Sequence, residues 1–265
     1  MAMQVNREEV VRAFNGYVSG YDSSDEKIHL KIVHTHKVAA LCDKVARSIQ
    51  LSDDDCNLAW FIGMMHDIGR FEQIRRCGTF FDASSVDHAE LGADLLFKEG
   101  LIDRFASECD PMVETAVRMH NKLAIEPSLS DRDALFCNIV RDADKIDILR
   151  VNIDSPLSDI YNTTMEAIRK AAVSPEVEQV FYQHRCVPRS LRKTVADCMV
   201  GHACLCYELV FPFSVEEVLR QGHVFQLLSF PTENANTAAT FDRMKAHLRD
   251  YLSTRVATSE AAFRK

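Results

Sequence analysis

Leu58-Ala59-Trp60-Phe61-Ile62-Gly63-Met64-Met65-His66-Asp67-Ile68-Gly69-Arg70 is the stretch that decides how this chain folds. An uninterrupted apolar run ends in an adjacent histidine and carboxylate. Such a run reads as a helix buried on all sides. A carboxylate at the end of a buried helix is costly unless something cationic meets it. Asp67 therefore requires a basic partner or a metal ion. Upstream, Ser52 with Asp55 has the form of a capping box, so the helix is expected to run from there to Ile68, with Gly69 as its C-terminal stop.

The neighbouring segments repeat the helical pattern. Asn6 with Glu9 caps a first helix through about Val18. In residues 32–49 the apolar positions Val38, Leu41, Val45 and Ile49 step by three and four. Residues 75–87, which include Arg75 and Arg76, read as a loop. Ser85 or Asp87 opens a helix ending at Gly100. Asp110-Pro111 places an N-cap before a first-turn proline, for a helix to about Asn121. Ser130 or Asp131 opens another through Leu149. Beyond Val151, residues 152–158 are turn-rich, and helical patterns resume at 161–172, 175–182, 190–210, 214–221 and 237–255. Little alternates with period two. The expected fold is all-α, with a ligand-bearing core over residues 1–150 and a helical extension over 151–265.

With 265 residues, 47% of them hydrophobic, the chain can bury a sizeable core. A net charge of −8 argues against a surface that wraps nucleic acid, since phosphate contacts need Lys and Arg in excess. It leaves room for a small phosphorylated ligand held by a few local cations. The nine cysteines form no CxxC pair, which points to free thiols in a reducing, cytoplasmic setting rather than a thiolate zinc site. Residues 1–9 are polar and lack the apolar region of a signal peptide. No run approaches the roughly 18 apolar residues of a membrane span. Nothing in the sequence specifies an oligomeric state.

Helical phase sorts the ten histidines. His34 shares the apolar stripe of Val38, Leu41 and Val45, whereas His36 aligns with Ala40, Asp43 and Arg47 on the wet face. His66 continues the face of Ala59 and Ile62. His88 precedes Leu91, Gly92 and Leu95 on one face. His120 follows Val113, Ala116 and Val117. Asp144 lies on the stripe of Cys137, Val140 and Ile148. Successive helices thus aim His34, His66, Asp67, His88, His120 and Asp144 inward. Nitrogen and carboxylate donors suit Zn, Mn, Fe, Co or Ni better than Ca. Six donors exceed what one catalytic ion with an open position accepts. They fit two ions bridged by one carboxylate, and Asp67 is the natural bridge. His184, His202, His223 and His247 lie outside this set and are expected to be structural or solvated.

These words resemble the HD superfamily of metal-dependent phosphohydrolases over about residues 28–150. His34-Thr35-His36-Lys37-Val38-Ala39 is similar to the family's first motif helix, Met65-His66-Asp67-Ile68-Gly69-Arg70 to its central element, and Asp142-Ala143-Asp144-Lys145-Ile146 to its last. The last match favours Asp144 over Asp142, as does helical phase. Asp87-His88-Ala89-Glu90-Leu91-Gly92 and Arg118-Met119-His120-Asn121 resemble the additional ligand segments of the binuclear branch. The resemblance implies that His34, His66, Asp67 and Asp144 hold one ion, and that Asp67, His88 and His120 hold the other. Asn121 stands where some relatives carry a second consecutive histidine, so two ions are implied rather than three.

The implied activity is hydrolysis of a phosphate ester, mono- or diester, of a small metabolite or nucleotide by a metal-activated water. Asp67 is central to it, and Arg70 and Lys145 are the expected phosphate contacts beside the ligand motifs. Lys31, one turn before His34, is a weaker one. Two other readings share the ligand set. One is a di-iron oxygenase acting on a phosphonate or polyol-like substrate, for which Tyr17, Tyr21 and Glu26 lie in the relevant neighbourhood. The other is a nucleotide sensor without turnover. Packing of the N-terminal helix also accounts for the two tyrosines.

Overall fold

The structure, a computed structural model, describes residues 3–22 and 24–263. It is helical, with no strand among the described residues. Two compact units are distinguished, Met1–Asp144 and Lys145–Lys265, and the division falls within a single long helix.

The first unit contains α1 (Arg7–Val18), α2 (Glu26–Ser48), α3 (Asp53–Met65), α4 (Ile68–Cys77), α5 (His88–Ala93) and α6 (Met112–Met119), and ends within α7 (Asp131–Asp154). Asn6 caps α1 by accepting from the Glu8 and Glu9 amides, and Ser52 caps α3 by accepting from Asp55. Helix α2 starts earlier than the apolar spacing suggested, because the Asp25 side chain caps it at Lys27. Its buried residues His34, Thr35, Val38, Leu41 and Val45 form the stripe that faces α3. Every residue from Leu58 to Met65 is buried. His36 is half covered rather than wet, because Phe14 of α1 packs edge-on against it, ring centroids 5.4 Å apart.

The expected stop at Gly69 is corrected. Helix α3 ends at Met65, and Gly69 lies inside α4, whose stop is Gly78 in the left-handed conformation (φ 67°). Gly69 serves a different need. A Cβ there would stand 2.6 Å from the Gly92 amide nitrogen and would collide with the His88 carbonyl. Only glycine lets α4 and α5 approach so closely. Arg75 and Arg76 accordingly belong to the last turn of α4 and pair with Glu72, and the connection to α5 begins only at Gly78. Asp87 caps α5, which continues as a short π-helical stretch, Asp94–Lys98.

The second unit begins within α7, which runs into the segment expected to be turn-rich. It adds α8 (Leu157–Ile160), α9 (Met165–Lys170), α10 (Pro175–Tyr182), α11 (Val195–Ala203), α12 (Pro212–Gln221), α13 (His223–Leu227) and α14 (Ala235–Phe263). Phe181, Met199, Val200, Phe241, Met244 and Leu248 are among its buried side chains. His202 lies 2.9 Å from both Tyr161 Oη and Asn152 Oδ1, a structural role. All nine cysteines are free thiols. No helix among the described residues is long and apolar enough to cross a membrane.

Candidate metal centre

The chain breaks its helix at His66-Asp67, and this break builds the site. Asp67 adopts φ −107° and ψ 15° between α3 and α4, and its side chain makes no capping bond to the α4 amides. Both carboxylate oxygens are thereby turned inward, and the residue is 2% exposed.

Donor atoms gather on either side of it. His34 Nε2 lies 3.1 Å from Asp144 Oδ1, 3.4 Å from His66 Nε2 and 3.5 Å from Asp67 Oδ2. His66 Nε2 stands 3.6 Å from Asp67 Oδ2 and 3.8 Å from Asp144 Oδ1. On the other side, His88 Nε2 is 3.0 Å from His120 Nε2 and 3.3 Å from Asp67 Oδ1, and His120 Nε2 is 3.6 Å from that oxygen. Donors about 2.1 Å from one ion stand about 3.0 Å apart at octahedral and about 3.4 Å at tetrahedral angles. The six residues that helical phase turned inward are thus brought together as His34, His66 and Asp144 on one side and Asp67, His88 and His120 on the other, with Asp67 Oδ2 facing the first set and Oδ1 the second.

Proton placement decides which of these atoms can offer a lone pair. His66 Nδ1 lies 2.7 Å from the Gly63 carbonyl and His120 Nδ1 lies 2.7 Å from the Val117 carbonyl. A carbonyl only accepts, so Nδ1 carries a proton in each ring, and Nε2 is the nitrogen left to offer a lone pair. His88 Nδ1 lies 2.8 Å from Asp82 Oδ2 and carries its proton for the same reason. Burial pushes the His66 imidazolium down to about 3. Burial, with the Arg70 charge, pushes that of His88 down to about 4. The second group is therefore two lone-pair nitrogens and a carboxylate oxygen, acceptors facing acceptors. Asp67 Oδ1 is buried without a hydrogen-bond partner. An orphaned anionic oxygen facing imidazole lone pairs suits a divalent transition-metal ion.

The first side already holds a cation. Lys31 Nζ lies 2.6 Å from Asp67 Oδ2. Burial alone would raise the Asp67 carboxyl, but Lys31 and the surrounding imidazoles hold it well below the usual carboxylate range. Asp144 is likewise depressed against the effect of burial, chiefly by His34. Lys31 thus touches the carboxylate and keeps some contact with solvent.

Arg70 is half-buried beside the second group. Its Nη1 donates to Gln73 Oε1 (2.8 Å), the Phe80 carbonyl (2.7 Å) and Asp82 Oδ1 (2.8 Å). Its Nε has no hydrogen-bond partner and lies 3.6 Å from Asp67 Oδ1. Lys145, next after Asp144 on α7, is buried, with its ammonium 3.6 Å from Glu208 Oε2. Tyr17 and Tyr21 pack against each other and Phe71, and Tyr17 Oη donates to the Ile68 carbonyl at 3.3 Å.

Asp82 escaped the sequence reading. It lies between α4 and α5 in a 3₁₀ turn, with no periodicity to mark it. Asp82, Asp87 and His88 also cluster. Asp87, however, is occupied by the Ala89 amide (3.0 Å), Asn121 Nδ2 (2.8 Å) and Lys122 Nζ (2.7 Å), which makes it a cap and ion pair rather than an open donor.

In comparison with known proteins, residues 32–149 match the family described as HD domain. No curated protein and no solved structure gives a match. The matched segment runs from two residues before His34 to five beyond Asp144, and so contains every donor of both groups.

Proposed function

We propose, from the premise that residues 32–149 match the HD-domain family, that the chain hydrolyses a phosphate ester of a small metabolite or nucleotide with two divalent transition-metal ions. His34, His66, Asp144 and Asp67 would hold one ion, and Asp67, His88 and His120 the other. Bound there, the ions supply Lewis acidity, lowering the pKa of water and neutralising charge on the phosphoryl oxygens. The observation that carries the reading is the buried Asp67 Oδ1, without a hydrogen-bond donor and faced by His88 Nε2 at 3.3 Å.

The chain's own residues do the rest. Asp67 joins the two donor groups and fixes their separation. Nδ1–H bonds to Gly63 and Val117 keep the His66 and His120 rings in the donor tautomer. The Lys31 ammonium and the Nε side of Arg70 supply positive charge beside the donors, where the substrate phosphate needs it. Lys145 is kept as a phosphate contact on its position next to Asp144.

The test is a panel of phosphomonoesters and phosphodiesters assayed with protein loaded with Mn²⁺, Co²⁺ or Ni²⁺. Turnover of at least one ester class that disappears in Asp67→Ala is expected. Oxygen consumption with Fe²⁺ and no ester hydrolysis would replace this reading with the oxygenase. Tight nucleotide binding without turnover would replace it with the sensor.

A further inference from the structure

Two of the histidines in the donor groups are oriented by their own helices. His66 and His120 each donate Nδ1–H to a carbonyl one turn back, Gly63 and Val117. Forming the helix is enough to aim those rings. His88 is different. It stands at the first position of α5, and the oxygen that takes its Nδ1–H is Asp82 Oδ2, from the preceding connection.

Asp82 is itself held tightly. Its Oδ1 accepts from Arg70 Nη1 at 2.8 Å and from Gln73 Nε2 at 2.9 Å, both on α4. Gln73 is fully buried, and its amide nitrogen also lies 2.9 Å from Ser85 Oγ and from the Val86 carbonyl. Arg70 Nη1 holds the Phe80 carbonyl as well. Two α4 side chains therefore strap the connection down and present one carboxylate edge to His88.

The geometry points to Asp82 as the positioning residue of the second ion: by taking the Nδ1 proton of His88 it keeps Nε2 unprotonated, and it makes filling of the His88–His120–Asp67 position depend on the strapped connection between α4 and α5. This rests on the two-ion reading above. It adds that the two positions are unequal. The first takes its donors from α2, α7 and the α3–α4 break. The second needs a loop in place.

Asp82→Asn is the discriminating variant because its shape is preserved while its bonding pattern is not. Two donors, from Arg70 and Gln73, face the inner oxygen and will claim the amide oxygen. The amide NH₂ is then turned toward His88 Nδ1, which must accept. The imidazole proton moves to Nε2, where it opposes a metal ion.

The first measurement uses the unaltered, metal-free protein. Long-range ¹H–¹⁵N NMR of the imidazole nitrogens should show His88 protonated on Nδ1. Protonation on Nε2 overturns the proposal without any variant. The second measurement titrates the unaltered protein and Asp82→Asn with Mn²⁺ and with Co²⁺. The unaltered chain should bind two ions. In the variant the second affinity should fall by roughly 10–100-fold, with the first unchanged. Two ions bound by Asp82→Asn with unaltered affinities would overturn the role of Asp82 and leave the two-ion reading standing. Fewer than two ions on the unaltered chain would overturn both.

Discussion

Lys31 Nζ stands 2.6 Å from Asp67 Oδ2, on the same oxygen that faces His34 at 3.5 Å and His66 at 3.6 Å. One oxygen of the buried carboxylate thus has an ammonium partner, and the other, Oδ1, has no hydrogen-bond donor. The Oδ2 side is met by an ammonium in contact, whereas the nearest charge to Oδ1, Arg70 Nε, stands 3.6 Å away without a hydrogen bond, which leaves that oxygen open to a metal ion.

Replacing Lys31 by Met should therefore act differently on the two forms of the protein. The metal-free chain keeps a buried anion that has lost its ammonium, at a cost of about 2–3 kcal/mol, below the fully buried range because Lys31 retains some contact with water. The metal-loaded chain should lose much less. Thermal unfolding with and without Mn²⁺ measures this as a larger metal-induced rise in midpoint for Lys31→Met. An equal rise in both proteins would show that Lys31 does not compensate Asp67.

Gly69→Ala tests the close approach of α4 and α5. The new methyl would meet the His88 carbonyl and the Gly92 amide, both backbone, so neither can swing aside. The expected cost is about 1–3 kcal/mol. Because α5 carries His88, the shift should also weaken Mn²⁺ binding at the second position more than at the first. A variant as stable as the unaltered protein would contradict the packing described.

How much of this could be read in the sequence follows the same division. His34, His66, His120 and Asp144 lie on regular helices or at their ends, so a period of 3.6 residues was enough to turn them toward one another. The all-α character followed from the missing period-two alternation. Gly69 was misread because a glycine that ends a helix and one that admits a neighbouring backbone look alike in one dimension. The helical status of Arg75 and Arg76 was lost with it. Asp82 was invisible because its role depends on a non-periodic connection and on Arg70 and Gln73 arriving from another helix. In the second unit, α11 was foreseen only as part of a longer helix, since the 3₁₀ segment Cys204–Glu208 carries the same apolar composition.

Acid stability should report on His202. Burial first, then the charges of Arg192 and Arg189, hold its imidazolium down to about 3, against about 6.5 in the unfolded chain. Between these values the unfolded chain takes up a proton that the folded chain refuses. Its contribution is thus intact above about pH 6.5 and is lost as the pH falls toward about 3. At pH 5 the loss is about 1–2 kcal/mol. Urea unfolding of the unaltered protein and His202→Gln should give stability curves that converge as the pH is lowered from 7 to 5. A constant difference between the curves would remove His202 from the acid response.

The central claim is that Asp67 joins two ion positions with its two oxygens. Mn²⁺ loading followed by electron paramagnetic resonance tests it most directly, because two Mn²⁺ ions sharing a carboxylate are spin-coupled. Two ions per chain with a coupled-pair spectrum are expected for the unaltered protein, and loss of both ions and of the coupling for Asp67→Ala. Two uncoupled ions, or a coupled pair that survives Asp67→Ala, would contradict it.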